Sequence, residues 1–173
     1  MARLLVFRHG KTEIVSRTGK DFDRALVTRG ERNSAQMARM LKSHMPKPDI
    51  VMVSPATRTR QTAEHALPVL GYHDEPVIDE RIYNATGDML YDVLRDHAAD
   101  KKTALIIGHN PGLIILMDIL MAVDEDHNAS LIADFPTASV GDVVFEADTF
   151  GQVMPNSGKL LSLLRPRELG FNT

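Results

Sequence analysis

Residues 3–10 read RLLVFRHG. Leu4, Leu5, Val6 and Phe7 form an unbroken apolar run, whereas a strand with one wet face would alternate. The run reads as a buried strand, with Arg8-His9-Gly10 at its carboxyl end. The same pattern recurs at 50–53 (IVMV), followed by Ser54-Pro55. It recurs again at 103–107 (TALII), followed by Gly108-His109-Asn110-Pro111-Gly112.

Amphipathic stretches separate these runs. Residues 28–45 have helical periodicity, with Ala35, Ala38, Leu41 and Met45 on one face and Thr28 and Glu31 at capping-box spacing. Pro46 and Pro48 stop that helix. Residues 57–67 read as a second helix, leading through Gly71 to a short strand at 76–79. Thr86 is placed to cap a helix at 88–97, with Leu90, Val93 and Leu94 facing inward. Asn110-Pro111 opens a fourth helix, with proline at its first position. Residues 124–138 read as a loop with a helical turn. Residues 139–147 and 159–164 alternate like a β-hairpin. The order β-α-β-α-β-α-β-α-β-β predicts one three-layer α/β/α domain over residues 1–173, with a mostly parallel sheet and a C-terminal hairpin.

The 173 residues are 43% hydrophobic and 25% charged, an ordinary globular balance that excludes disorder and collagen-like or coiled-coil repeats. There is no cysteine. Disulfides, Cys-ligated zinc, iron–sulfur clusters and cysteine nucleophiles are therefore excluded, and a cytoplasmic location is expected. The N-terminal apolar run is too short for a signal-peptide core. The longest apolar stretch, GLIILMDILMAV, carries Asp118 and falls short of the roughly 20 residues of a spanning helix. No membrane partner is expected. A net charge of −3, with three Tyr, six Phe and no Trp, supplies neither a basic field nor stacking platforms for nucleic acid. A monomer is expected.

Ligands of open α/β sheets gather outside the carboxyl ends of the strands. That rule brings His9, His109, Arg8, Arg58 and Glu80 toward one edge. Arginine's rigid fork suits phosphate oxygens, and imidazole can attack phosphorus or donate a proton. Helix N-termini after the second and fourth strands add backbone N–H groups. Phosphoryl transfer through a histidine is what this collection can do. Residues 108–112 are not a P-loop, because the GK[ST] ending is missing. His44, His65, His73, His97 and His127 lack two-His-one-carboxylate spacing, so no metal site is expected.

Arg8-His9-Gly10 resembles the RHG signature of the histidine phosphatase superfamily, which includes the phosphoglycerate mutases. The wider pattern is most similar to its small SixA-type phosphohistidine phosphatase branch. The likeness is carried by LLVFRHGKTE, DFDRALVTRGERNSAQMARML, DIVMVSPATRTRQTAE, IYNATGDMLYDVLR and LIIGHNPGL, between residues 3 and 113. The resemblance implies a phosphoglycerate mutase-like fold. It matches His9 to the nucleophile that becomes phosphorylated, and Arg8 and Arg58 to the phosphate clamp. His109 matches the second histidine that contacts the transferring group, and Glu80 matches the proton donor of the mutase branch. Val15 stands near where mutases usually carry an asparagine, which turns the reading from mutase toward phosphatase.

The resulting expectation is a phosphatase with a phosphohistidine intermediate and no metal or cofactor, acting on protein phosphohistidine. Two alternatives stay open: hydrolysis of a small phosphorylated molecule on the same machinery, and a phospho-binding module without turnover. Each residue also has a plainer reading. Arg8 would be a surface ion-pair partner, and Glu80 would pair with Arg81. Arg58, Arg60 and Lys11 would be solvated charges. Met37, Met40 and Met45 read as core filler rather than a binding groove.

Overall fold

In the computed structural model, which describes residues 1–122 and 132–171, Leu4 and Val6 enter one apolar cluster and Leu5 and Phe7 another. Successive side chains of a strand point to opposite faces, so the unbroken run feeds two cores at once. Phe7 is fully buried, and burying a side chain of this size contributes about 1.5–3 kcal/mol.

The strands are β1 (Ala2–Arg8), β2 (Ile50–Val53), β3 (Val77–Ile78), β4 (Thr103–Gly108), β5 (Val140–Phe145) and β6 (Gly158–Leu164). They form one sheet in the order β3-β2-β4-β1-β5-β6. The first four are parallel; β5 runs antiparallel to β1, and β6 antiparallel to β5. The helices are α1 (Thr28–His44), α2 (Thr57–Leu70), α3 (Gly87–Ala98) and α4 (Gly112–Leu120). Met37, Leu41, Ala66 and Leu67 of α1 and α2 pack on Leu5, Phe7, Val51 and Leu105. Leu90, Leu94, Leu113 and Met117 of α3 and α4 pack on Leu4, Val6, Met52 and Ile106. The expected three layers and hairpin are present.

Several local expectations are corrected. Thr28 does not form a capping box: it is already helical, Val27 is the N-cap without a side-chain bond, and Glu31 N–H donates to the Val27 carbonyl. The buried face of α1 runs through Asn33, Ser34, Met37, Ala38 and Leu41, while Ala35 is half-buried and Met45 lies beyond the helix. Pro111 sits at the N-cap of α4 rather than inside its first turn. The cap at Thr86 forms as expected, its side chain accepting from Met89 N–H. The loop expected at 124–138 lies outside the described residues as far as 131. Its last part runs back to β1, where Ala138 N–H donates to the His9 carbonyl (2.9 Å).

Candidate active site

The β1–β4 ladder ends on the pair Arg8 and Gly108. Neighbouring strands lie about 4.8 Å apart, so the next residue of each strand emerges beside the other. His9 N–H donates to the Gly108 carbonyl (3.2 Å), and the His9 and His109 rings lie 5.3 Å apart between centroids. Ser54, the first residue beyond β2, is fixed by its N–H to the Ile107 carbonyl (3.1 Å). Its hydroxyl lies 2.8 Å from His109 Nε2. Three adjacent strand ends thus build the floor.

His9 Nδ1 lies 2.8 Å from the Gly10 carbonyl. A carbonyl only accepts, so Nδ1 carries the proton and Nε2 keeps its lone pair. Burial pushes the His9 pKa down to about 3; the Gly10 hydrogen bond opposes this, and Arg58, Arg8 and Arg24 reinforce it. His109 is also pushed down to about 3, by burial and then by Arg58 and His9, with Asp21 acting the other way. Both rings are therefore neutral at pH 7. The loop that carries His9 is pressed onto two helices. Gly10 N–H donates to Thr62 Oγ1 (3.0 Å), and Thr62 Oγ1 donates to the Arg58 carbonyl (2.7 Å). A Cβ on Gly10 would come within 2.6 Å of the Gly30 carbonyl oxygen, and one on Gly30 would overlap the Lys11 backbone. Glycine at both positions is what allows this contact.

Arg8 donates from one terminal nitrogen to the Phe135 carbonyl (2.7 Å). Burial, and then the nearby Arg58, lower its pKa. Arg58, only 6% exposed, donates to the Asp21 carbonyl (2.7 Å) and to Asp21 Oδ2 (2.9 Å). Tyr83 OH donates to the same oxygen (3.0 Å), and Arg24 donates to Oδ1 (3.0 Å). Burial raises the Asp21 pKa, but the hydrogen bonds from Arg24, Tyr83 and Arg58 outweigh it and hold the carboxyl at about 2. The Tyr83 ring stands edge-on to His109 at 5.7 Å. Three buried nitrogens have no partner among the described residues: Arg8 Nε, Arg58 Nε and His109 Nδ1.

The sequence profile of the histidine phosphatase superfamily, branch 1, matches residues 4–100, more than half of the chain. The chain belongs to that superfamily. It is 28% identical over 150 residues to the uncharacterized protein Rv1276c of Mycobacterium tuberculosis, covering 85% of this chain and 92% of that protein. The Nakamurella multipartitia protein named SixA superposes with a TM-score of 0.82 at 21% identity, over 95% of this chain and 96% of its own. The protein histidine phosphatase SixA complexed with tungstate superposes at 0.79 and 20% identity, over 96% and 99%. The fold is phosphoglycerate mutase-like.

The structure brings His9, His109, Arg8 and Arg58 to one edge of the sheet. Arg58 is buried rather than solvated, whereas Arg60 is exposed. Glu80 stands apart. It opens a 3-10 turn, Glu80–Ile82, and is exposed, with no side-chain hydrogen bond among the described residues. Nor does it pair with Arg81, which binds Asp79 (2.6 Å) and Asp96 (2.7 Å). His97 Nε2 also lies 2.9 Å from Asp79. Sequence reasoning missed Asp21, the carboxylate that does enter the cluster. It also assigned no role to Ser54, Tyr83 or Arg24. Their signal was position: Ser54 ends an apolar run, and Asp21 and Arg24 lie in the quoted segment DFDR. Among the described residues, no three His, Asp or Glu side chains are grouped to hold a metal, and no helix is long and apolar enough to cross a membrane.

Proposed function

We propose that this protein is a phosphatase that passes the phosphoryl group through His9 Nε2, with protein phosphohistidine as its substrate. One observation carries the reading. The Nε2 lone pair, freed by the Nδ1–Gly10 bond, belongs to a ring 5.3 Å from His109 and under the charge of Arg58 and Arg8, whose Nε atoms are buried without partners. The buried arginine N–H groups call for an acceptor, and phosphoryl oxygens are acceptors that suit arginine.

In the first step Nε2 attacks phosphorus in line, and the bond from phosphorus to the substrate's imidazole nitrogen breaks. That nitrogen keeps the electron pair and takes up a proton. Water then attacks phosphorus on His9, the new N–P bond breaks, and phosphate leaves with the His9 lone pair restored. Arg8, Arg58 and His109 stabilise charge on the equatorial oxygens in both steps. Neither step calls for a metal or cofactor. Glu80 is the proposed proton donor where the leaving group is a poor one. Its exposed position suits a donor that closes only on bound substrate.

Two observations favour a protein over a small molecule. Ile14 (89% exposed), Val15 (69%) and Phe22 (36%) present apolar surface on the segment that carries Asp21, as a docking protein requires. The two superposed proteins named SixA also match nearly the full chain.

The test is chemical. Rapid quench with a phosphohistidine peptide is expected to trap an acid-labile, base-stable phosphate on His9. His9→Ala is expected to lose essentially all turnover while still folding. Substantial turnover by folded His9→Ala overturns the mechanism. A higher kcat/KM for phosphometabolites than for phosphohistidine peptides overturns the substrate.

A further inference from the structure

Behind the His9 loop lies a second cationic recess. A cavity of about 150 Å³ is lined by Lys11, Arg29, Asn33, Thr137 and Arg167, between two prolines. Three cations face it. Asp134, the acid beside it, already binds Arg167 and Arg165. Lys11 and Arg29 make no ion pair with any described residue. Arg29 and Asn33 lie in the first two turns of α1, where the helix dipole favours negative charge.

Asn33 supplies the independent observation. It is only 5% exposed, and its Oδ1 has no hydrogen-bond partner. A buried amide oxygen left unpaired is costly and needs an explanation in its surroundings. A carboxamide offers both a donor and an acceptor. Size narrows the ligand further. At about 150 Å³ the recess is smaller than the about 300–1,000 Å³ of drug-sized ligand sites and suits a group of phosphate size.

We propose that this recess binds a phosphate group, at a site separate from the one beside His9. The cations balance its charge, and the Asn33 NH2 donates to one oxygen. For inorganic phosphate, the retained P–OH donates to Asn33 Oδ1. Both walls are tied to the catalytic loop. Lys11 is two residues from His9, and its carbonyl accepts from Val27 N–H (3.0 Å). On the far wall, Phe135 accepts from Arg8, and Ala138 N–H donates to the His9 carbonyl. Occupancy of the recess therefore bears on the loop that holds the nucleophile.

The test is an NMR titration of the 15N-labelled chain with inorganic phosphate. Two groups of shifts are expected, one around His9 and His109, the other around Arg29, Asn33 and Thr137. Arg29→Gln and Asn33→Asp should each raise the midpoint of the second group about tenfold or more, as loss of a charge-assisted contact does. The first group and a cooperative melting curve should persist. Arg58→Ala should weaken only the first group, so failure of the active-site reading would leave the second in place. Glycerol phosphate added to His9→Ala distinguishes an ester-bound phosphate from the free anion, and shifts at the recess with either support the site. Absence of recess shifts when the first group is saturated, or an unchanged midpoint in both variants, overturns it.

Discussion

His9, His109 and Ser54 leave the ends of three neighbouring strands, whereas Asp21 and Tyr83 reach the same place from segments with no regular ladder. The first group is positioned by backbone hydrogen bonds that exist whatever the side chains are. The second is positioned by side chains holding one another, with Asp21 accepting from Arg58, Arg24 and Tyr83. The segment between Lys11 and Val27 is closed at its base by the Thr12–Leu26 bridge. Beyond that base, Asp21 is its main tie to the site. The sheet places His9 and His109, and the loops supply Asp21 and Tyr83, which hold the Arg58 guanidinium beside them. Damage to the two halves should therefore look different.

The largest expected effect separates Glu80 from the floor. If it donates the proton, Glu80→Gln lowers hydrolysis of alkyl phosphate esters by about 10²–10⁴-fold. It costs far less on phosphohistidine, whose nitrogen leaves readily. Equal damage on both substrates, measured as kcat/KM, would assign Glu80 to shaping the pocket instead.

Next comes the clamp. Arg58→Ala is expected to lose about ten- to a hundredfold in kcat/KM, since a charge-assisted contact is worth about 1.5–3 kcal/mol. Asp21→Asn keeps Arg58 but weakens its hold, so a smaller loss is expected, about three- to tenfold at about 1 kcal/mol for a hydrogen bond. Vanadate inhibition should weaken in parallel. If Asp21→Asn matched Arg58→Ala, the loop half would be as decisive as the clamp itself. No change in either constant would make the Asp21 cluster ornamental.

The last effect belongs to the floor and is read in stability rather than in rate. The native pKa values of His9 and His109 are about 3, against 6.5 when unperturbed. Below pH 6.5 the unfolded chain takes up protons that the native chain does not, so stability rises with pH in this window. It is highest above 6.5 and lost as pH falls toward 3. Asp21 acts in a lower window, between 3.8 and about 2. Urea midpoints should therefore fall between pH 6.5 and 4.5, and His109→Gln should flatten that slope. A wild-type midpoint constant over this range would contradict the burial of the two rings.

The same division explains what could be read from sequence. Unbroken apolar runs reveal strands, and the residues after them can be named without coordinates, which is why His9 and His109 were visible, while Ser54 could be located but given no role. Arg58 was placed through α2, whose periodicity is local. Asp21 was not, because its partners lie 37 and 62 residues away and nothing in DFDR announces them. Thr28 and Glu31 show the converse. Their spacing satisfied a local rule, but the Val27 carbonyl was already paired with Glu31 N–H and the helix began one residue early. Glu80 and Arg81 are adjacent in sequence, yet Arg81 turns to Asp79 and Asp96, where two carboxylates offer more than one.

The bond from Arg8 to the Phe135 carbonyl spans 127 residues. During synthesis at about 5–20 residues per second, Arg8 therefore emerges roughly 6–25 s before the group that holds it is made. His109, too, arrives a hundred residues after His9. A ribosome-bound chain can have its first strand and first two helices without a clamp or a paired histidine. The full cluster of His9, His109, Arg8 and Arg58 is thus a property of the nearly finished chain, assembled only once Phe135 has been made.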